Sequence, residues 1–275
     1  MRISPRYDGP ALIEIDGAPD DQLVPMTRQR RRFETMLRGL DDEAWRAPSR
    51  CDEWTVQDVA SHLVGVNAFW QMSIAAGLDG APTRVLTNFD PAATPELLIA
   101  PMRSLPPREV FDQLAASHDG LLDAIAALDA EQWQMPAESP PGYVPIRLLA
   151  YHALWDCWIH ERDVALPLGR TPPVEADEVS SSLRYAAALG PGLLLTAERD
   201  IAGAYGVQAH DPDVQFWLAI DKSVHIHGGA PPTGAPCLRG DAVELTEALS
   251  IRGPLPDDTP DAWRELVGGL ATAFS

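Results

Sequence analysis

Apolar residues recur at three- and four-residue steps in four stretches before Pro167, and that periodicity leaves few folds open. Leu23, Met26, Phe33, Leu37 and Leu40 form one stripe. Val59, His62, Val66 and Phe69 form a second, with Leu63 and Trp70 beside them; Phe111, Leu114, His118, Leu121, Ile125 and Leu128 form a third. The fourth helix runs from about Ile146 to Leu166, between Pro145 and Pro167. Each helix has an apolar face to bury, so the pattern predicts a four-helix bundle. Thr55-Val56-Gln57-Asp58 marks the start of the second helix as a capping box, with Asp in place of the usual Glu. The connection from Ala81 to Pro107 is long for a compact bundle and is expected to cross it or cover a site. Arg30 interrupts the first stripe; if buried, it needs an acidic partner or a ligand carboxylate.

Beyond Pro167–Pro173 the pattern changes. A helix from Glu175 to Leu189 and a second helical stretch lead to two predicted strands, Val214–Ile220 and Ser223–His227, joined by a tight turn at Asp221-Lys222. Pro236–Arg239 is a candidate third strand, and two short helices follow, Asp241–Ile251 and Asp261–Ala273. Before the bundle, an extension carries a short strand within Ala11–Ile15. The expected class is α+β: an extension (1–21), a helical domain (22–170) and a small mixed α/β domain (171–275).

Charge narrows the function. Forty acidic against 21 basic side chains give a formal charge of −19, a surface that repels phosphate backbones, so nucleic acid is excluded as a partner. The basic run Arg28-Gln29-Arg30-Arg31-Arg32 is read as a solvated helix face. Cys51, Cys157 and Cys237 are widely spaced, contain no CxxC pair and do not suit a disulfide framework. Without an apolar signal region or a run of membrane-spanning length, the chain is expected in the cytoplasm with no membrane partner. Oligomeric state stays open.

The chemistry gathers on the fourth helix. His152, Asp156 and His160 lie four residues apart, on one face. Neighbours four apart can share a metal, whereas the ends of the eight-residue span are about 12 Å apart. Spacing therefore allows His152 with Asp156, or Asp156 with His160, and a third ligand from another helix: His62 or His118. A hydrogen-bonded core histidine is the alternative for each. Asp156 stands amid Trp155, Trp158 and Ile159, where a buried carboxylate wants a cation or a donor.

A resemblance chooses among these. Cys51-Asp52-Glu53-Trp54-Thr55-Val56-Gln57-Asp58-Val59-Ala60-Ser61-His62-Leu63 keeps every fixed position of the C-x-x-W-T-V-x-D-V-x-x-H-L signature of the mycothiol-dependent maleylpyruvate isomerase family, within the DinB-like superfamily. Asp156, His160 and Asp163 resemble that family's E-x-x-x-H-x-x-D segment. Gly240–Leu245 with Leu249–Gly253 is similar to its C-terminal element, which places Arg252 at the family's arginine. The resemblance implies a DinB-like bundle holding a divalent metal, usually zinc, on His62, Asp156 and His160. Aspartate here replaces the family's glutamate and is one methylene shorter.

The same resemblance implies an open metal position for mycothiol or a similar low-molecular-weight thiol, whose thiolate attacks a small electrophilic substrate in a transferase or isomerase reaction. Arg252 is the expected cation for the substrate's carboxylate or enolate. Two alternatives stand beside this: a metal-dependent hydrolase that activates water, and a non-catalytic binding or regulatory module on the same scaffold. His225 and His227 alternate on a predicted strand and share a face; with no third ligand in view they read as an ordinary strand face. Asp58 is read as a cap, Trp54 as a core anchor and Cys157 as a buried, inert thiol.

Overall fold

A computed structural model describes residues 4–17, 21–91 and 93–274. The first strand is β1 (Ile13–Ile15). The helical part follows with α1 (Leu23–Arg38), α2 (Asp42–Trp45), α3 (Val56–Leu78), α4 (Ala93–Ile99), α5 (Pro107–Ala126) and α6 (Ile146–Ala165). A two-stranded hairpin, β2 (Pro136–Ser139) and β3 (Gly142–Pro145), precedes α6. The C-terminal part holds α7 (Ala176–Thr196), β4 (Gly203–His210), β5 (Val214–Ile220), β6 (Val224–Gly228), β7 (Cys237–Asp241), α8 (Ala242–Leu249) and α9 (Asp261–Phe274).

The bundle consists of α1, α3, α5 and α6, the four helices that apolar periodicity predicts. The capping box forms as expected: Thr55 accepts from the Asp58 backbone N–H while Asp58 accepts from that of Thr55. Asp58 also receives Arg103 at 2.8 Å. The Ala81–Pro107 connection lies along α3, where Gln57 donates to the Met102 and Leu105 carbonyls at 3.1 and 3.0 Å.

Helix α6 is buried along its whole length, because the bundle covers one side and α7 the other. A helix in that position has no solvent face on which to leave polar groups, so each one needs a protein partner or a ligand. Glu161 receives Arg32 at 2.8 and 2.7 Å, and Arg162 reaches Glu247 at 2.7 Å.

The basic run on α1 departs from the solvated face expected of it. Arg28 and Arg32 pair with Glu178 of α7, Arg32 also with Glu161, and Arg31 with Glu34 and Asp119. Arg30 is fully buried, and its Nη2 donates to the Ala153 carbonyl at 3.0 Å instead of finding a carboxylate. Burial holds its pKa below the ordinary arginine value, against the opposing pull of Cys157, Asp156 and Glu34.

The sheet is five-stranded, in the order β1-β6-β5-β4-β7. Strands β4, β5 and β6 are antiparallel neighbours, while β1 joins β6 and β7 joins β4 in parallel. Along β5 and β6, Val214, Phe216, Leu218, Ile220, Val224 and Ile226 are buried in strict alternation with more exposed residues. This is the period-2 pattern of a sheet with one face on a core. Helix α7 lies on the buried face.

Three local features differ from the sequence-based expectation. Helix α7 continues through Pro191 to Thr196, absorbing the separate second stretch. Strand β4 was not anticipated, its glycines and alanines having blurred the alternation. A Cβ at Gly206 would lie 2.7 Å from Pro231 and 3.1 Å from the Cys237 sulfur, so this close-packed strand needs glycine there. The hairpin β2–β3 was also unanticipated. Its Glu138 is buried, accepting from Tyr7, Thr83 and the backbone N–H groups of Val85 and Leu86.

Candidate metal centre

Helices α3 and α6 pack so that His62 faces the C-terminal half of α6. His62 Nε2 lies 3.8 Å from Asp156 Oδ2, and His160 Nε2 lies 3.6 Å from Asp156 Oδ1. The two imidazole rings meet edge to face, with centroids 4.9 Å apart. One donor atom from each of the three residues falls within 4.8 Å of the other two. These separations are too long for hydrogen bonds. Ligands about 2.0–2.1 Å from a tetrahedral ion stand about 3.4 Å from one another, so the spacing suits a shared cation.

His62 supplies a second test of fit. Its side chain is 12% exposed, and its Nδ1 is fully buried with no hydrogen-bond partner among the described residues. The nitrogen that faces Asp156 is Nε2, so a shared cation would sit on Nε2 while Nδ1 keeps the ring's hydrogen. Burial also lowers the His62 pKa against the pull of Asp156, so the ring is held neutral, as a ligand must be. The donor set of two imidazoles and a carboxylate is one that zinc accepts. Shortening the carboxylate to aspartate does not keep it from facing both rings.

His160 is oriented from behind. Its Nδ1 donates to Asp163 Oδ2 at 3.0 Å, which turns the Nε2 lone pair towards Asp156 and His62. Asp163 is fully buried and collects three further donors. Arg50 Nε reaches Oδ1 at 3.1 Å, Arg252 Nε reaches Oδ1 at 3.0 Å, and the Cys51 thiol donates to Oδ2 at 3.2 Å. Burial would raise the Asp163 pKa, but His160 and Arg252 hold it well below the usual carboxylate range. Asp156 is held low in the same way by His62, His160 and His152. For His160, burial works downward; Cys51, Asp163 and Asp156 outweigh it and raise the pKa to about 10. Without a metal, the pocket is built to hold one positive charge, and a proton on His160 provides it.

Arg252 reaches the site from the C-terminal part of the chain. Trp155 Nε1 donates to Ser250 Oγ at 2.8 Å, docking the end of α8 on α6. Ile251 then takes a left-handed backbone, φ 59°, a conformation that β-branched residues seldom adopt. That turn sends Arg252 back to Asp163 and places its Nη2 3.4 Å from the Cys51 sulfur.

The other histidines of the bundle are occupied elsewhere. His118 is fully buried and its Nδ1 lies 2.8 Å from Glu34 Oε1, with its pKa lowered by burial to about 4. His152 Nδ1 accepts from the Tyr185 hydroxyl at 2.6 Å, and burial lowers its pKa to about 4 as well. Neither belongs to a cluster with metal-ligand spacing among the described residues. Cys157 is buried, and burial pushes its thiol up to about 12, in keeping with an inert role. Trp54 packs beside the His62 ring at 5.3 Å.

Sequence reasoning passed over Cys51, Arg50 and the supporting role of Asp163. The signal for Asp163 was its place three residues after His160 on the same helix. Nothing in the spacing of Cys51 or Arg50 announced that their loop would fold onto α6.

A helical bundle presenting two histidines and a carboxylate to one point, followed by a mixed sheet, defines the class. The family model "Mycothiol maleylpyruvate isomerase N-terminal domain" matches residues 26–165, a stretch that includes His62, Asp156, His160 and Asp163, and the chain belongs to that family. The crystal structure of a mycothiol-dependent maleylpyruvate isomerase superposes with a TM-score of 0.62 at 14% identity, covering 86% of this chain and 91% of the other. A histidine-to-alanine variant of a mycothiol-dependent maleylpyruvate isomerase gives the same TM-score at 13% identity. The α+β fold is therefore shared over the 86% of this chain that superposes. A Geobacillus kaustophilus protein named "Putative metal-dependent hydrolase GK0616" is 28% identical over 133 residues, which is 48% of this chain and 73% of that protein.

Proposed function

We propose that the protein is a divalent-metal-dependent enzyme that adds a low-molecular-weight thiol, mycothiol or one like it, to a small electrophile, as a transferase or an isomerase. The observation that carries this reading is the convergence of His62, Asp156 and His160 from two helices, with donor atoms within 4.8 Å of one another. A zinc-type ion bound there would supply the positive charge that keeps a thiol deprotonated at neutral pH.

The chain's own groups do the remaining work. Asp163 fixes the tautomer of His160 and so the direction of its free lone pair. His62, largely withdrawn from water, stays neutral and available. The side chain of Arg252 is 26% exposed, and its Nε and Nη2 face Asp163 and Cys51. Its Nη1 is left to hold a substrate carboxylate or enolate beside the thiol. The three cysteines are free, which suits a reducing compartment, and we place the protein in the cytoplasm; no helix among the described residues is long and apolar enough to cross a membrane.

The relative named as a hydrolase motivates a second reading, in which water takes the thiol's place. One experiment separates them. Zinc-loaded protein is mixed with maleate and either mycothiol or glutathione, and addition or cis–trans isomerisation is followed by NMR. Hydrolysis of p-nitrophenyl acetate is followed in parallel. The thiol reading expects turnover that needs both zinc and thiol and disappears in His160→Ala. Ester turnover independent of thiol would favour the hydrolase; zinc binding without any reaction would leave a binding module.

A further inference from the structure

Strand β6 carries His225 and His227 on the exposed face of the sheet, and their rings stack, centroids 4.1 Å apart with 2° between their planes. The neighbouring edge strand β1 pairs with β6 in parallel, Glu14 opposite His225. One residue past β1, the Asp16 backbone N–H donates to the Ile226 carbonyl at 3.1 Å. Its carboxylate therefore lies over the two imidazoles. His225 Nε2 is 2.9 Å from Asp16 Oδ1, and His227 Nδ1 is 3.1 Å from Asp16 Oδ2. Trp217, opposite His227 on β5, stacks on that ring at 4.3 Å and limits its rotation. Glu14 Oε2 stands 3.6 Å from His225 Nδ1.

We infer that Asp16, His225 and His227 form a second divalent-metal site, which clamps the N-terminal edge strand to the sheet. The donor atoms of the three residues lie within 4.8 Å of one another. Two imidazole nitrogens and a carboxylate are the ligands that zinc, nickel and copper ions take. Each nitrogen faces one oxygen of the same carboxylate, so the ligands are already close, and a tilt of the stacked rings would bring their in-plane lone pairs onto one ion. In the metal-free protein each imidazole donates a hydrogen to Asp16. Binding replaces those contacts, and the acidic chain around the site favours a cation. Asp16, Glu14 and His225 also line a cavity of about 540 Å³, which leaves room for water to complete the coordination.

The clamp has a mechanical consequence. Strand β1 is three residues long and lies at the sheet's edge, so few hydrogen bonds hold it. A cation shared between Asp16 and β6 would fasten it independently of the bundle.

The test uses the full chain, stripped with chelator and titrated with zinc alone, in wild type and in His62→Ala/His160→Ala, which removes the bundle cluster. The double variant is expected to keep one zinc equivalent, and Asp16→Asn added to it should weaken that equivalent at least about tenfold. His225→Gln/His227→Gln should abolish it. Zinc should also protect the amides of residues 12–16 from hydrogen exchange in the double variant but not when His225 and His227 are replaced. Should the double variant fail to fold, the same histidine replacements are made in wild type, where zinc stoichiometry should fall by one. A stoichiometry and a protection pattern unchanged by replacing Asp16, His225 and His227 would overturn the inference, whether or not the bundle binds metal.

Discussion

Among the described residues, two clusters join two histidines and an aspartate, and their surroundings differ. In the bundle, His62, Asp156 and His160 keep only 12%, 12% and 9% of their side-chain surface exposed. On the sheet, His225, Asp16 and His227 keep 35%, 54% and 30%. Burial makes each unpaired polar group costly, so the bundle cluster is backed by a second layer of Asp163, Arg50, Arg252 and Cys51. The sheet cluster has only a stacked tryptophan and a nearby glutamate. On the two readings proposed above, the same ligand set would serve a tightly held reactive ion in one place and an exchangeable fastening in the other.

The sharpest way to break this contrast is to remove a ligand from each side. His160→Ala should weaken zinc binding in the bundle by more than about a hundredfold, since loss of a supporting group alone costs about 10–100-fold. Isothermal titration would measure it, and His118→Ala should leave that affinity unchanged. An effect of His118→Ala as large as that of His160→Ala would make the ligand assignment wrong.

The pH dependence of stability comes next in size. His118 and His152 have folded pKa values of about 4, below the unfolded value of about 6.5. Between those limits the unfolded chain binds more protons, so stability falls as pH drops from 6.5 towards 4, by about 2 kcal/mol per histidine at pH 5. His160 has the opposite sign. Its raised value of about 10 gives stability that is full below 6.5 and lost as pH rises through 10. Metal-free protein should thus be most stable near pH 6.5 in urea titrations. If zinc binds as proposed, it would displace the proton on His160 and should flatten the alkaline limb; an alkaline limb indifferent to zinc would contradict the shared site.

Asp163→Asn should reduce zinc affinity in the bundle about 10–100-fold while leaving the sheet cluster untouched. Competition with a chromogenic chelator in the His225→Gln/His227→Gln background would resolve it. The smallest effect concerns the helix that carries His62. Thr55→Ala removes its cap and should cost about 1 kcal/mol of stability, measured by urea unfolding, with no change in zinc stoichiometry.

The bundle was legible because its information is local. Stripes at helical spacing, Pro145 and Pro167 as stops and the capping box at Thr55 each act within a few residues, and α1, α3, α5 and α6 lie where those signals place them. The motif around His62 and the segment Asp156–Asp163 likewise drew attention to α3 and α6, the helices that bring His62 near Asp156. Strand β4 was missed because glycine and alanine carry little alternation. The hairpin at Pro136–Pro145 was missed because it depends on the distant Tyr7 and Thr83 holding Glu138.

By itself the sequence determined the positions of the four bundle helices, the alternating strands β5 and β6, and a short set of candidate ligands, all consequences of backbone periodicity and side-chain size. Only the tertiary structure decided which histidines face one another. Spacing along α6 could not choose between His152 and His160; the packing of α3 against it sets His62 opposite Asp156 and His160, while Tyr185 from α7 takes His152. In the same way His225 and His227 gain Asp16 only because an N-terminal strand joins the sheet 209 and 211 residues away along the chain. Contacts of that kind are set by which surfaces bury together, and no local pattern encodes them.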